Sequence, residues 1–325
     1  MRFTPSYTFS MIPEEAFPDT IQEITRELDA YRNEGFFTSF DGQQLYYEYF
    51  LAENSTANVI IVHGLSEFTK KFYEAAWYFL HQGYNVFLYD QRGHGKSCRL
   101  TDRHDLIHVD HFEDYAEDLD AFISKVVLPA DQKPLALYCH SMGGAVGLIY
   151  LNRHGEKIQK AVLSAPLFWA KSVNLPQGLI NATVWAGQVL NGKKKRFFFC
   201  HDFNPDFSFS QASDKSFHRF THYLSLRREN PCYQTSPMTY GWTTASIRAG
   251  RRSLRRRFIR GITTPLLLIS AEADTVVKTK PHHRFAAKCS CCTLLSIPEG
   301  NHGMLVGTED TIRMHMEGAL GFLQD

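Results

Sequence analysis

The sequence predicts an α/β protein: a mostly parallel sheet covered by helices on both faces, interrupted once by an inserted helical cap. Three observations carry this expectation. Short apolar, strand-like runs alternate with stretches whose apolar residues recur at helical spacing. The run Leu135 to His140 stops abruptly at Ser141, and the small residues Gly143, Gly144 and Ala145 lead into a helical pattern. Between Pro166 and about Ala245 the alternation lapses into a segment with several Pro and Asn breakers and eight phenylalanines between Phe197 and Phe220.

In chain order, Pro13 to Arg32 reads as an acidic amphipathic helix, with Ile21, Ile24, Leu28 and Tyr31 on one face. A hairpin follows: Phe36 to Phe40, a two-residue Asp41-Gly42 turn, then Leu45 to Phe50, forming an antiparallel sheet edge. Asn58 to Val62 is a strand, Phe68 to Leu80 a helix, and Asn85 to Tyr89 a strand. The helix from His111 to Val127 offers Phe112, Tyr115, Leu119, Phe122, Ile123 and Val126 for burial. After the strand ending at Ser141 come strands Ala161 to Ser164, Leu266 to Ala271 and Thr293 to Ile297, and a capped helix from Thr308 to Leu323. The division expected is a core of residues 1–165 and 246–325, with 166–245 as the cap. An insertion at that point lies at the C-terminal edge of the sheet, above Ser141, where sites in open α/β folds are found; the alternative is a helical elaboration with an ordinary aromatic core.

Composition excludes more than it selects. The 325 residues, 44% hydrophobic, suffice for one large domain with an insertion. Thirty-five basic and 34 acidic side chains cancel, so attraction to nucleic acid or anionic lipid must come from local clusters. Residues 1–31 have no apolar core of the signal-peptide kind, and no apolar run reaches the ~18 residues of a membrane span, so a soluble, cytoplasmic chain is expected. Seven cysteines without paired spacing point to a reducing compartment. Cys289, Cys291 and Cys292 lack the second ligand pair of a zinc site, and His104, His108 and His111 are read as capping or packing residues. Neither a metal nor a cofactor is expected.

The chemistry is legible at strand ends. Ser141 is the candidate nucleophile, at the centre of a G-x-S-x-G-like elbow in which Cys139 takes the first glycine's place. A serine hydroxyl needs a base, and the base needs an acid to fix its tautomer. His302 is the one histidine of fifteen in the glycine-flanked loop after the last strand, and Asp274 follows the strand that ends at Ala271. Glu272 competes with Asp274; Asp274 is preferred because it lies beyond the strand end, with Val276 and Val277 to anchor the loop. The oxyanion donors expected are the N–H groups of Met142 and of Leu65, in the loop His63-Gly64-Leu65-Ser66-Glu67; His63 is taken as structural. Asp90 to Ser97 reads as a tight scaffold turn, with Gly93 and Gly95 for unusual backbone angles and Arg92 to tie loops together. Two basic clusters remain. Lys193 to Arg196 precedes Phe197-Phe198-Phe199, and seven arginines between Arg248 and Arg260 surround Leu254 and Phe258. They are open to three readings: solvated helix faces, an anionic membrane surface, or nucleic acid.

His63-Gly64, Asp90-Gln91-Arg92-Gly93-His94-Gly95-Lys96-Ser97, His140-Ser141-Met142-Gly143-Gly144 and the Asp274 and His302 loops together resemble the monoacylglycerol lipase and lysophospholipase group of serine α/β-hydrolases over nearly the whole chain. Cys98-Arg99-Leu100, His108 to Tyr115 and Met238 to Trp242 are most similar to the bacterial lysophospholipases. The departures are Cys139 and Leu65-Ser66. The resemblance implies an eight-stranded sheet, a helical cap, and hydrolysis of an ester carrying one fatty acyl chain. The expected substrate is a lysophospholipid, with a monoacylglycerol second; peripheral contact with the inner face of the cell membrane would suit either, and nucleic acid is not expected as a partner. Acyl transfer to a second lipid and a non-catalytic lipid-binding relative are the competing readings. Ser141 argues against dehalogenases and epoxide hydrolases of this fold, which carry aspartate there.

Overall fold

The computed structural model describes residues 1–171 and 177–325; residues 172–176 of the expected cap lie outside the described residues. The chain runs α1 (Phe17–Tyr31), β1 (Asn33–Thr38), β2 (Gln44–Phe50), β3 (Ala57–Val62), α2 (Tyr73–His81), β4 (Tyr84–Tyr89) and α3 (Glu113–Phe122). A π-helical turn (Ile123–Val127) continues α3 into α4 (Leu128–Ala130), and β5 (Leu135–His140), α5 (Met142–His154) and β6 (Lys160–Ser164) follow. Then come α6 (Gln177–Asn191), α7 (Phe217–Glu229), α8 (Tyr240–Ser253), α9 (Arg256–Arg260), β7 (Leu266–Ala271), α10 (Lys280–Ala286), β8 (Cys292–Ile297) and α11 (Glu309–Gln324).

The strands form one sheet in the order β1-β2-β4-β3-β5-β6-β7-β8. β2 is antiparallel to both β1 and β4, and all the other pairs are parallel. Because side chains alternate across a strand, Val59 and Ile61 face one layer while Ile60 and Val62 face the other. The first layer is built from α1, α2 and α11 through Ile21, Leu28, Phe79, Ile312 and Met316. The second is built from α3, α5 and α8 through Leu119, Phe122, Val146 and Trp242. With both faces covered, the central strands read as continuous apolar runs. The ends of β3, β5, β6, β7 and β8 therefore open on one edge, where the loops carry the candidate site.

Two sequence expectations are corrected. The Asp41-Gly42 turn is not a two-residue hairpin: β1 stops at Thr38, and Ser39 to Gln43 form a loop closed by Ser39 N–H to Gln43 O at 2.8 Å. Tertiary contacts account for this, since Ser39 Oγ donates to Asp118 and Asp41 pairs with Arg92 at 3.0 Å. Leu254, between α8 and α9, and Phe258, within α9, are buried, so the arginines around them flank packed residues, not exposed ones. α8 spans residues 245 and 246, where the sequence expectation divides cap from core. Arg92 does tie loops together, with two hydrogen bonds to buried Asp118 at 2.5 and 2.6 Å beside its pair with Asp41.

A buried ion pair joins α7 to α2. Arg219, in the first turn of α7, reaches Glu74 of α2 through Nη2 at 2.6 Å and Nε at 3.0 Å, Glu14 through Nη1 at 3.1 Å and the carbonyl of Ile12 at 2.8 Å. Glu74 and Arg219 are both shut off from solvent, so each charge depends on the other.

Candidate active site

Ser141 sits between β5 and α5 with φ 52° and ψ −114°, a left-handed conformation that costs a non-glycine residue about 1–3 kcal/mol. Its backbone is pinned on both sides: Ser141 N–H donates to Ser164 O at 2.9 Å, and Leu167 N–H donates to Ser141 O at 2.9 Å. Glycine is needed next. A Cβ on Gly143 would lie 2.1 Å from the carbonyl of Val62, so only a hydrogen there lets α5 approach the end of β3. Cys139, in the place of the first elbow glycine, is accommodated from the opposite side. Its Sγ would lie 2.7 Å from a Cβ on Gly147, one turn into α5.

The structure brings three of the candidates into a line. His302 Nε2 is 2.8 Å from Ser141 Oγ, and His302 Nδ1 is 2.7 Å from Asp274 Oδ2. Asp274 Oδ1 accepts the N–H groups of Val276 at 2.7 Å and Val277 at 2.8 Å. Burial raises the Asp274 carboxyl, but the His302 hydrogen bond and charge and the two backbone donors outweigh it and hold it below the usual carboxylate range. With Asp274 an acceptor, Nδ1 carries the imidazole proton and Nε2 is left to accept from Ser141 Oγ–H. Glu272 instead pairs with His283 at 2.8 Å.

Contacts from Ala170, Lys171, Ser213, Lys215 and Ser216 brace this geometry. Ala170 forms a β-bridge with Val277, Lys171 N–H donates to Val276 O at 2.6 Å, and Lys171 Nζ to Asp274 O at 2.9 Å. On the other side, Lys215 and Ser216 N–H both donate to Val306 O, and Asn301 Nδ2 donates to Ser213 O at 3.1 Å. These partners lie far apart in the chain, and no local pattern in the sequence marks them.

Leu65 lies in the loop after β3, and Met142 opens α5. Their loops meet at Gly64, where a Cβ would be 3.1 Å from Ser141 Cβ. His63 is buried; its Nε2 accepts Gln91 N–H at 2.9 Å, so Nδ1 carries the proton and donates to Gly64 O at 2.7 Å. Sequence reasoning missed Glu67. Its carboxylate accepts Gly64 N–H at 2.5 Å and Lys71 Nζ at 2.6 Å. His140 adjoins it, held neutral because burial pushes its pKa down to about 4 against the pull of Glu67. Of the histidine trio, His108 is bonded to Thr239 Oγ1 at 2.8 Å and His104 and His111 are exposed. Among the described residues no group of three or more His, Cys, Asp or Glu is disposed to hold a metal ion.

A mostly parallel sheet of this order, with a serine on the turn after β5, is the α/β-hydrolase fold. The chain belongs to the family described as serine aminopeptidase, S33 (Hydrolase_4), whose model matches residues 53–309. It is 30% identical over 283 residues to lysophospholipase L2 of Escherichia coli strain K12, covering 85% of this chain and 80% of that protein. It is 26% identical over 272 residues to a probable lysophospholipase L2 of Haemophilus influenzae, covering 82% and 83%. Among solved structures, a soluble variant of monoglyceride lipase from Saccharomyces cerevisiae, in complex with a substrate analog, superposes with a TM-score of 0.71 over 90% of this chain and 96% of that one at 19% identity, a likeness of fold.

Proposed function

We propose that Ser141, His302 and Asp274 are a catalytic triad, and that the chain releases the fatty acid from a lysophospholipid through an acyl-enzyme. The observation that carries this is the hydrogen-bonded line from Ser141 Oγ through His302 to Asp274. The chain is a carboxylic ester hydrolase. His302 Nε2 takes the Ser141 proton as Oγ attacks the ester carbonyl, and Asp274 stabilises the imidazolium that forms. The N–H groups of Leu65 and Met142 receive the oxyanion, His302 returns the proton to the leaving alcohol, and water then releases the fatty acid by the same route.

The substrate reading rests on relatives named lysophospholipase L2, with a relative named monoglyceride lipase beside them. Residues 166–245 act as a cap, and its phenylalanines would take the acyl chain. For the head-group phosphate the cap cation assigned is Arg227. It lies over the Phe203 ring at 4.3 Å and donates to the carbonyls of Tyr233 at 3.1 Å and Thr235 at 2.9 Å. Among the described residues it has no carboxylate partner, and burial pushes its pKa down to about 10 against the pull of Glu67. The cap would also meet the membrane. Leu179, Trp185, Val189 and Leu190 lie exposed on one side of α6, followed by exposed Lys193 to Arg196 and by half-exposed Phe198 and Phe199. Apolar and aromatic side chains beside lysines suit an anionic surface such as the inner face of the cell membrane. No described helix is long and apolar enough to cross a membrane.

The test is fatty-acid release from lysophosphatidylethanolamine and from a matched 1-monoacylglycerol at equal concentration, with Ser141→Ala as the blank. The expected result is a preference for the phospholipid that Ser141→Ala abolishes and Arg227→Met narrows. Preference for the neutral lipid would make this a monoacylglycerol lipase, and activity surviving in Ser141→Ala would overturn the triad.

A further inference from the structure

Glu67 lies beside the nucleophile, only 7% exposed, and no step of the triad chemistry uses it. Its two oxygens are divided between the segments that surround the oxyanion. Oε2 accepts Gly64 N–H at 2.5 Å, immediately before Leu65. Oε1 accepts Lys71 Nζ at 2.6 Å and lies 3.7 Å from Nε2 of His140, the residue before Ser141. One buried carboxylate thus touches the loop that carries the Leu65 N–H and the strand end that carries Ser141 and Met142.

The loop needs such an anchor. Ser66, next to Leu65, has φ 59°, a left-handed conformation unfavourable without glycine, and its other tie is a 3.5 Å contact from Ser66 Oγ to Ser236 O. The anchor is also kept charged. Burial alone would raise the Glu67 carboxyl, but the charge of Lys71 and its hydrogen bond bring it down to about 2. Ionised, it can only accept, and an N–H bond to a carboxylate is shorter and stronger than one to a neutral oxygen.

We propose that Glu67 is a positioning residue for the oxyanion loop: through Gly64 N–H it holds the loop so that the Leu65 N–H faces the developing oxyanion. Glu67 itself touches no reacting atom. This rests on the assignment of Ser141 as nucleophile and Leu65 as donor. A donor held out of place is lost in the tetrahedral state and hardly felt by the ground state.

The experiment compares wild type, Glu67→Ala, Glu67→Asp and Glu67→Gln on p-nitrophenyl butyrate, an ester that depends on the nucleophile and not on the lipid class. Inhibition by an alkyl trifluoromethyl ketone, which forms a tetrahedral adduct with the serine, is read beside inhibition by the matching fatty acid. For Glu67→Ala the expectation is a loss in kcat of about 100-fold, the lower end for removal of one oxyanion donor. KM should stay within a few-fold, ketone affinity should fall in parallel with kcat, and fatty-acid affinity should hold. Glu67→Gln keeps an acceptor for Gly64 and should recover most of the loss. If Glu67→Ala does not fold, Glu67→Asp decides, because it keeps the charge beside Lys71 but withdraws the oxygen from Gly64; it should show the same ketone-selective loss. Unchanged kcat, equal weakening of ketone and fatty acid, or Glu67→Gln no better than Glu67→Ala would each overturn the proposal. Ester turnover by Ser141→Ala equal to wild type would instead remove the reading on which it stands.

Discussion

Replacing Asp274 by Asn changes one atom and reverses a hydrogen-bond direction. The carboxylate accepts three donors: His302 Nδ1 on Oδ2, and the N–H groups of Val276 and Val277 on Oδ1. An Asn amide has one acceptor oxygen. Turned so that its NH2 faces the two backbone donors, it would lose two buried hydrogen bonds, at about 1–3 kcal/mol each. It therefore keeps its oxygen on Val276 and Val277 and presents NH2 to His302 Nδ1. The imidazole must then carry its proton on Nε2, where it donates to Ser141 Oγ and leaves the hydroxyl proton with no base. Loss of the correct tautomer in such a triad lowers kcat about 10⁴-fold, which at 1.36 kcal/mol per decade is about 5 kcal/mol of barrier. Initial rates of p-nitrophenyl ester hydrolysis across neutral to mildly alkaline pH, with melting curves to show the fold intact, measure this. A loss of less than tenfold in kcat would refute the role given to Asp274.

Three further outcomes are expected. Arg219→Met leaves Glu74 buried without its bidentate partner and should cost about 3–5 kcal/mol in urea unfolding, much of it recovered in the double variant with Glu74→Gln; strictly additive losses would show that the pair is not coupled. Gly147→Ala drives a Cβ to 2.7 Å from Cys139 Sγ and should cost about 1–3 kcal/mol by overpacking, but less when Cys139→Ala removes the sulfur; equal cost in both backgrounds would refute the compensation. His140 and His315 are held neutral by burial, with pKa values pushed down to about 4 and about 3. The unfolded chain takes up those protons below about pH 6.5 and the native protein does not, so stability falls as pH drops from there toward 4, by up to about 1.4 kcal/mol per pH unit for each histidine. His315→Gln, which keeps an acceptor for Tyr138 OH, should remove one proton's share of that slope in urea titrations between pH 7 and 5; an unchanged slope would refute the assignment.

Period and punctuation along the chain determined the α/β alternation, the positions of the eight strands and the serine at the turn after β5, because these depend on neighbours within a few residues. Two of the candidate partners were legible for the same reason. Asp274 and His302 each follow an apolar strand in a short loop, where the end of a parallel strand offers a side chain to the sheet edge. Tertiary structure decided what depends on residues far apart in sequence. Asp41 was drawn from its turn toward Arg92, and Leu254 and Phe258 were turned inward among arginines. Arg219 found its counter-charge 145 residues away in Glu74, and Glu67 was set against Gly64 and His140 behind Ser141. A buried charge leaves no periodic trace in the sequence, since its energy comes from a partner that only the folded chain supplies. The elbow could be read from Ser141 and its glycines alone, whereas the carboxylate behind it became visible only once β3 and β5 stood side by side.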